Sequence, residues 1–160
     1  MAGRYVFDIE TDGLLPELTK LHCIGIKCLD TGKTWSLKAH QWDDQGHSLA
    51  DGLDFLSRAD LLVGHNIIGF DIPAIQKVFP YWHPRGLIRD TLVLTRLLWP
   101  HIKDGDFKRA EAGRLPKKLI GKHSLEAWGF RLGDYKGDFN GPWEVWTPEM
   151  QQYMDRDVAV

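Results

Sequence analysis

Cysteine is scarce in this sequence, with two among 160 residues. Cys23 and Cys28 lie five apart in an apolar stretch, and on a strand that odd spacing sends them to opposite faces. Neither a disulfide nor a shared zinc is expected of such a pair. Long apolar runs are missing too. None approaches the roughly 20 residues a membrane-spanning helix needs, and the N-terminus lacks a signal-peptide pattern. The expected compartment is the cytosol. There is no large charge of one sign either. A net charge of −2 is not that of a protein wrapped in nucleic acid. Internal repeats and low-complexity segments are absent.

What is present is an ordinary globular composition, 43% apolar and 26% charged, in a length that suits one domain spanning 1–160. The seven tryptophans are many for this length and are expected to serve packing. Residues 3–9 (GRYVFDI) and 22–29 (HCIGIKCL) read as strands. A Gly-containing turn at 30–33 then leads into an alternating strand at 34–39, giving a hairpin. Ser48 is placed to cap a helix carrying Leu49, Leu53 and Leu56 on one face. A short strand follows at 61–63. A helix starting Asp71-Ile72-Pro73 ends before Pro80, residues 87–89 suit a last strand, and 91–99 an apolar helix. Residues 124–131 form another helix, and Thr147-Pro148-Glu149 opens one that runs to the chain end. This order predicts an α/β architecture with a mixed sheet and helices on its faces.

Charge is unevenly spread. Residues 101–122 hold seven Lys/Arg against three acids, a net +4, so the remainder is acidic. That stretch carries three glycines and no steady apolar period, which predicts a long basic loop. Such a loop either guides a strand backbone or serves as a solvated surface.

The candidate chemistry lies in scattered acids. Asp8 and Glu10 (FDIET) share a strand face at i and i+2, and two adjacent carboxylates repel unless a cation separates them. Tyr153 and Asp157 share a helix face at i and i+4, whereas Asp155 is turned away from Tyr153. Asp71 follows Gly64-His65-Asn66-Ile67-Ile68-Gly69-Phe70. Taken singly, each has a bland reading: an exposed strand end, a packed tyrosine, a first-turn acid. His65 and His123 are read as structural.

Together these residues resemble the DEDD superfamily of 3′–5′ exonucleases. Asp8 and Glu10 match its D-x-E motif, Asn66 to Phe70-Asp71 the second motif, and Tyr153 to Asp157 the third. Gln152 stands where a second subgroup has histidine, so the resemblance is to the tyrosine subgroup. Residues 90–97 (DTLVLTRL) and 122–129 (KHSLEAWG) are similar to the N-terminal proofreading domain of phage family A DNA polymerases. The likeness covers essentially the whole chain.

The resemblance implies a ribonuclease H-like mixed five-stranded sheet with helices on both faces. It implies an exonuclease acting on single-stranded or frayed DNA 3′ ends with two Mg²⁺ or Mn²⁺ ions, which suit hard oxygen ligands. Asp8 would bridge the ions, Glu10 and Asp157 would complete the site that activates water, and Asp71 would hold the second ion through waters. Tyr153 would orient the attacking water, since a phenol is a poor base at neutral pH. Thr11 and Leu14 would contact the terminal nucleotide, and Asn66 its sugar or phosphate. Phe70 is either a contact or core. The chain would be a fragment of a longer polymerase, with a polymerase domain in cis or in trans as partner, in the bacterial host cytoplasm if of phage origin. Two other readings stay open: a catalytically silent DNA-binding or bracing module, and an RNA exonuclease with the same metal site.

Overall fold

A computed structural model describes residues 3–135 and 139–159 of the chain. Among these, β1 (Arg4–Thr11), β2 (Leu21–Cys28), β3 (Thr34–Lys38), β4 (Leu61–Gly64) and β5 (Leu87–Asp90) form one sheet in the order β3-β2-β1-β4-β5. β1, β2 and β3 pair antiparallel, while β4 and β5 add to β1 in parallel. A tight turn suffices between β2 and β3, and Gly32 at φ 73° provides its left-handed position. The parallel strands need crossovers. α1 (Leu49–Ser57) provides the first and α2 (Asp71–Val78) the second.

Alternation along β1 sorts the two faces. Tyr5, Phe7 and Ile9 enter the main core with Ile24, Ile26, Leu37, Leu53, Leu56 and Ile75, beneath α1 and α2. Val6 packs on the other face with Cys23, Met154 and Val158, where α6 (Pro148–Ala159) covers the sheet. Cys28 belongs to the first cluster and Cys23 to the second, so the odd spacing separates them; both are free. Truncating a fully buried Ile or Leu here to Ala would cost about 2–5 kcal/mol.

Helix starts follow their sequence signals. Ser48 and Asp51 cap α1 reciprocally, Asp90 caps α3 (Thr91–Leu98), and Ser124 caps α5 (Leu125–Leu132). Thr147 Oγ1 accepts from Met150 N at 3.1 Å at the start of α6. Each such cap is worth about 1 kcal/mol. Val160 lies outside the described residues.

The stretch 101–122 is not a long loop. It holds a helix, α4 (Ile102–Glu111), and a short 3-10 turn at Lys117–Leu119. The apolar period is missing because α4 is anchored by a polar residue. Asp106 alone in the helix is buried, bonded to Gly121 N at 2.9 Å and to the guanidinium of Arg131. A tertiary ion pair replaces the apolar stripe that sequence patterning looks for. No helix among the described residues is long and apolar enough to cross a membrane.

Candidate active site

Asp8 and Glu10 stand on central β1, on the face covered by α6. The strand carries a register shift between Glu10 and Thr11, the kind of local kink that re-aims side chains at a strand end. α6 brings the third acid. One carboxylate oxygen each from Asp8, Glu10 and Asp157 lies within 4.8 Å of the others, and Glu10 is buried.

Gly25 makes this approach possible. It pairs with Asp8 across β1 and β2, and a Cβ there would overlap Met154 Sδ and come within 2.8 Å of Val158 Cγ2. Without a side chain at Gly25, α6 lies directly on the sheet and Asp157 reaches the β1 acids. Sequence reading missed this residue, although a glycine inside an apolar strand is a signal of close backbone or helix approach.

Asp71 is not in that group of three, but it feels the charge of Asp157. It opens α2 and is 3% exposed, and its Oδ1 has no hydrogen-bond partner among the described residues. Burial, together with the charges of Asp90 and Asp157, pushes its pKa up to about 7 against hydrogen bonds from its own amide and that of Ile9. A buried carboxylate with an unmade bond, within the field of Asp157, is what a cation would satisfy. All four are hard oxygen donors, suited to Mg²⁺- or Mn²⁺-like ions.

The loop that presents Asp71 has its own anchor, which sequence reading also missed. Asn66 sits at φ 67°. Buried Asp90 accepts from Asn66 N and Ile68 N, both at 3.0 Å, and from Leu92 N and Val93 N at 2.9 and 3.3 Å. One carboxylate thus fixes the 66–70 turn and caps α3. Its signal was the Asp-Thr pair at a strand-to-helix junction.

Residues 5–114 match the RNase H superfamily. The chain belongs to that superfamily. Membership implies the use of divalent metal, and the acids of β1, α2 and α6 fit such an ion. Over 158 residues, 94% of this RNase H-superfamily chain, it is 37% identical to the DNA-directed DNA polymerases of Escherichia phage T7 and Enterobacteria phage T3. The chain spans 22% of the length of those polymerases. Among solved structures, Brucella melitensis NrnC bound to pGG superposes with TM-score 0.62 at 17% identity, covering 99% of this chain and 67% of that one. Exonuclease I superposes with TM-score 0.57 at 14% identity, covering 99% and 40%. An E. coli exonuclease I complex with a 5cy-dT13 oligonucleotide gives 0.54, covering 99% and 39%. At these identities the structural likeness is one of fold.

The remaining sequence candidates divide by exposure. Leu14 is 70% exposed beside the strand that carries the acids, on a loop tied down at both ends. Asp12 accepts from Thr19 N, Thr19 Oγ1 and Lys20 N, while Lys77 Nζ from α2 donates to the carbonyls of Leu15 and Pro16. Burial works against the Asp12 charge, but the Thr19 hydroxyl and the amides outweigh it and bring the pKa down to about 2. Thr11 is buried, its hydroxyl donating to Gly13 O at 2.8 Å. Asn66 is exposed, and Phe70 packs half-buried against the main core.

Tyr153 is half-buried, its ring 5.8 Å from that of Phe139, which meets Trp143 edge-on at 4.8 Å. The Trp143 carbonyl is held by His22 Nε2 on β2 at 2.8 Å. Asp155 points away to β3, hydrogen-bonded to Ser36. His65 Nδ1 bonds Thr91 Oγ1 at 2.9 Å, tying β4 to α3.

Proposed function

We propose that this chain is a 3′–5′ exonuclease that hydrolyses the 3′-terminal phosphodiester of single-stranded or frayed DNA and releases nucleoside monophosphates, using two Mg²⁺ or Mn²⁺ ions. The observation that carries this reading is the meeting of Asp8, Glu10 and Asp157, far apart in sequence, within 4.8 Å, next to the unsatisfied buried carboxyl of Asp71. A structural acid cluster without an ion would be disfavoured by its own repulsion.

Bound ions would neutralise the charge developing on the phosphate and the leaving alkoxide, and would lower the pKa of attacking water. Asp8, Glu10 and Asp157 would hold them, with Asp71 as a further carboxylate ligand. Tyr153 would orient the water by hydrogen bonding rather than take its proton, since a phenol is a poor base at neutral pH. Leu14 supplies an apolar edge for the last base, with Thr11 and Asn66 near the terminal sugar and phosphate. A terminal base has to leave its stack to reach carboxylates held against the sheet, which favours single-stranded or frayed ends.

Residues 1–160 act as one exonuclease unit of a longer polymerase, and a polymerase domain in cis or in trans is the partner this reading requires. A phage origin places it in the cytoplasm of the bacterial host. Retention of every motif acid supports an enzyme over a silent module.

The test is digestion of 5′-labelled single strands, DNA and RNA side by side, with Mg²⁺, Mn²⁺ or EDTA. Stepwise loss of mononucleotides from DNA, abolished by EDTA and by Asp8→Ala, is expected. Digestion that survives Asp8→Ala, or release from the 5′ end, refutes the reading.

A further inference from the structure

Away from the acids, a pocket of about 430 Å³ opens between the C-terminal ends of α4 and α5, lined by Arg109, Arg114, Phe130, Arg131 and Tyr135. Two left-handed glycines build it. Gly113, at φ 70°, ends α4 and turns the chain back, so that Arg114 N donates to Arg109 O at 2.8 Å. Gly133, at φ 77°, does the same for α5, with Asp134 N donating to Gly129 O at 2.8 Å. Bonds of this span belong to the Schellman ending of a helix. A Cβ on Gly129 would come within 2.7 Å of the Asp134 carbonyl, so that turn closes only around glycine. The first turn sets Arg114 over the turn that bears Arg109. The second leads to Tyr135, whose ring lies 4.6 Å from that of Phe130.

Beneath the pocket Arg131 is fixed. Its side chain is 2% exposed and forks onto Asp106 at 2.7 and 3.0 Å, with a further bond to Lys122 O at 2.6 Å. Its Nη1 has no hydrogen-bond partner among the described residues. Arg109 stands 3.6 Å from Asp106 and is 40% exposed, outside hydrogen-bond reach. Arg114 is exposed and forms no ion pair among the described residues. The pocket lining thus carries three guanidiniums and no carboxylate, with Asp106 buried beneath and acted on by Arg131 and Arg109. The excess of two positive charges also outweighs the partial negative charge of the two helix ends.

Arginines beside stacked rings suit a backbone phosphate and its base. We propose that this pocket is a second contact for the single strand, gripping a phosphate with Arg109 and Arg114 and a base against Tyr135 and Phe130 a few nucleotides upstream of the 3′ end. Distance permits it. Tyr135 and Phe139 are four positions apart, a covalent reach of at most about 14 Å, and the Phe139 ring lies 5.8 Å from that of Tyr153. The strand polarity assigned here rests on the exonuclease reading; the site itself rests on the pocket.

Fluorescence anisotropy in EDTA, with a labelled thymidine trinucleotide and a labelled dodecanucleotide, tests it. Arg109→Gln with Arg114→Gln should weaken dodecanucleotide binding by about tenfold and shrink its salt slope by about 0.7, the share of the one phosphate lost. Affinity for the trinucleotide, too short to span both sites, should hold. Should the double variant misfold, Arg114→Gln alone is expected to remove part of that slope, and again only on the dodecanucleotide. Equal losses on both lengths, or no loss, overturn the proposal. Wild-type protein that grips the longer strand through these arginines yet digests no DNA sinks the exonuclease reading and leaves the pocket standing. Digestion without any length-dependent gain in binding does the reverse.

Discussion

Asp71→Asn should make the metal-free protein more stable while destroying its activity. The carboxyl is buried, with a pKa raised from 3.8 to about 7. A folded-state pKa above the unfolded value means stability that is complete below about pH 4 and lost as pH rises through 7. Three pKa steps at 1.36 kcal/mol each put that loss at up to about 4 kcal/mol at pH 8. The amide carries no charge to desolvate, but its own unmade hydrogen bonds cost about 1–3 kcal/mol. The net gain near pH 8 is therefore about 1–3 kcal/mol, or about 3–10 °C in Tm for a chain of this size. Near pH 4.5 most of it should vanish, because the wild-type carboxyl is then largely protonated. Mn²⁺ or Mg²⁺ should reverse the order at pH 8, since an ion held partly by Asp71 stabilises the wild type by mass action. Differential scanning fluorimetry at both pH values, in EDTA and in Mn²⁺, reads all of this. A variant with the same Tm advantage at pH 4.5 as at pH 8, or none at either, refutes the account of Asp71 as an unsatisfied buried charge.

Other substitutions probe the scaffold of the site. Gly25→Ala should push α6 off the sheet, costing about 1–3 kcal/mol and, through displacement of Asp157, about 100-fold in turnover; adding Met154→Ala should restore part of both, and full activity of the single variant would contradict the packing argument. Asp90→Ala strips the acceptor from four backbone amides and should cost at least about 2 kcal/mol in urea unfolding, with a loss of activity from the freed 66–70 turn; an unchanged midpoint would show that the turn holds without it. Tyr153→Phe should lower kcat while leaving Mn²⁺ affinity intact by calorimetry, and lost metal binding would contradict a water-orienting role. Asp12 has a pKa lowered to about 2, so its contribution to stability is present above about pH 4 and lost as pH falls through 2; Asp12→Asn should therefore flatten the acid limb of unfolding.

Much of the fold was legible because local chemistry and tertiary demand agree. Residues 3–9 are apolar and β-branched or aromatic, and they form the central strand. Ser48, Ser124 and Thr147 cap helices because a hydroxyl that satisfies a first-turn amide does so in any context. The basic stretch was misread for the opposite reason. α4 is stabilised by an ion pair to Arg131, 25 residues away, and no local period records such a bond. The 66–70 turn was visible only as spacing, while its anchor, Asp90, lies 24 residues on.

The same division holds for the site. The identity of the acids and the i, i+2 and i, i+4 spacings that put pairs on one face follow from the chain, because strand and helix periods are covalent facts. Their convergence does not. That Asp157 meets Asp8 and Glu10 depends on which face α6 covers and on Gly25 letting it close. That Asp71 is left with a raised pKa depends on burial and on two distant carboxylates. Distances, desolvation and the field of neighbouring charges belong to three dimensions, and those only the folded molecule decided.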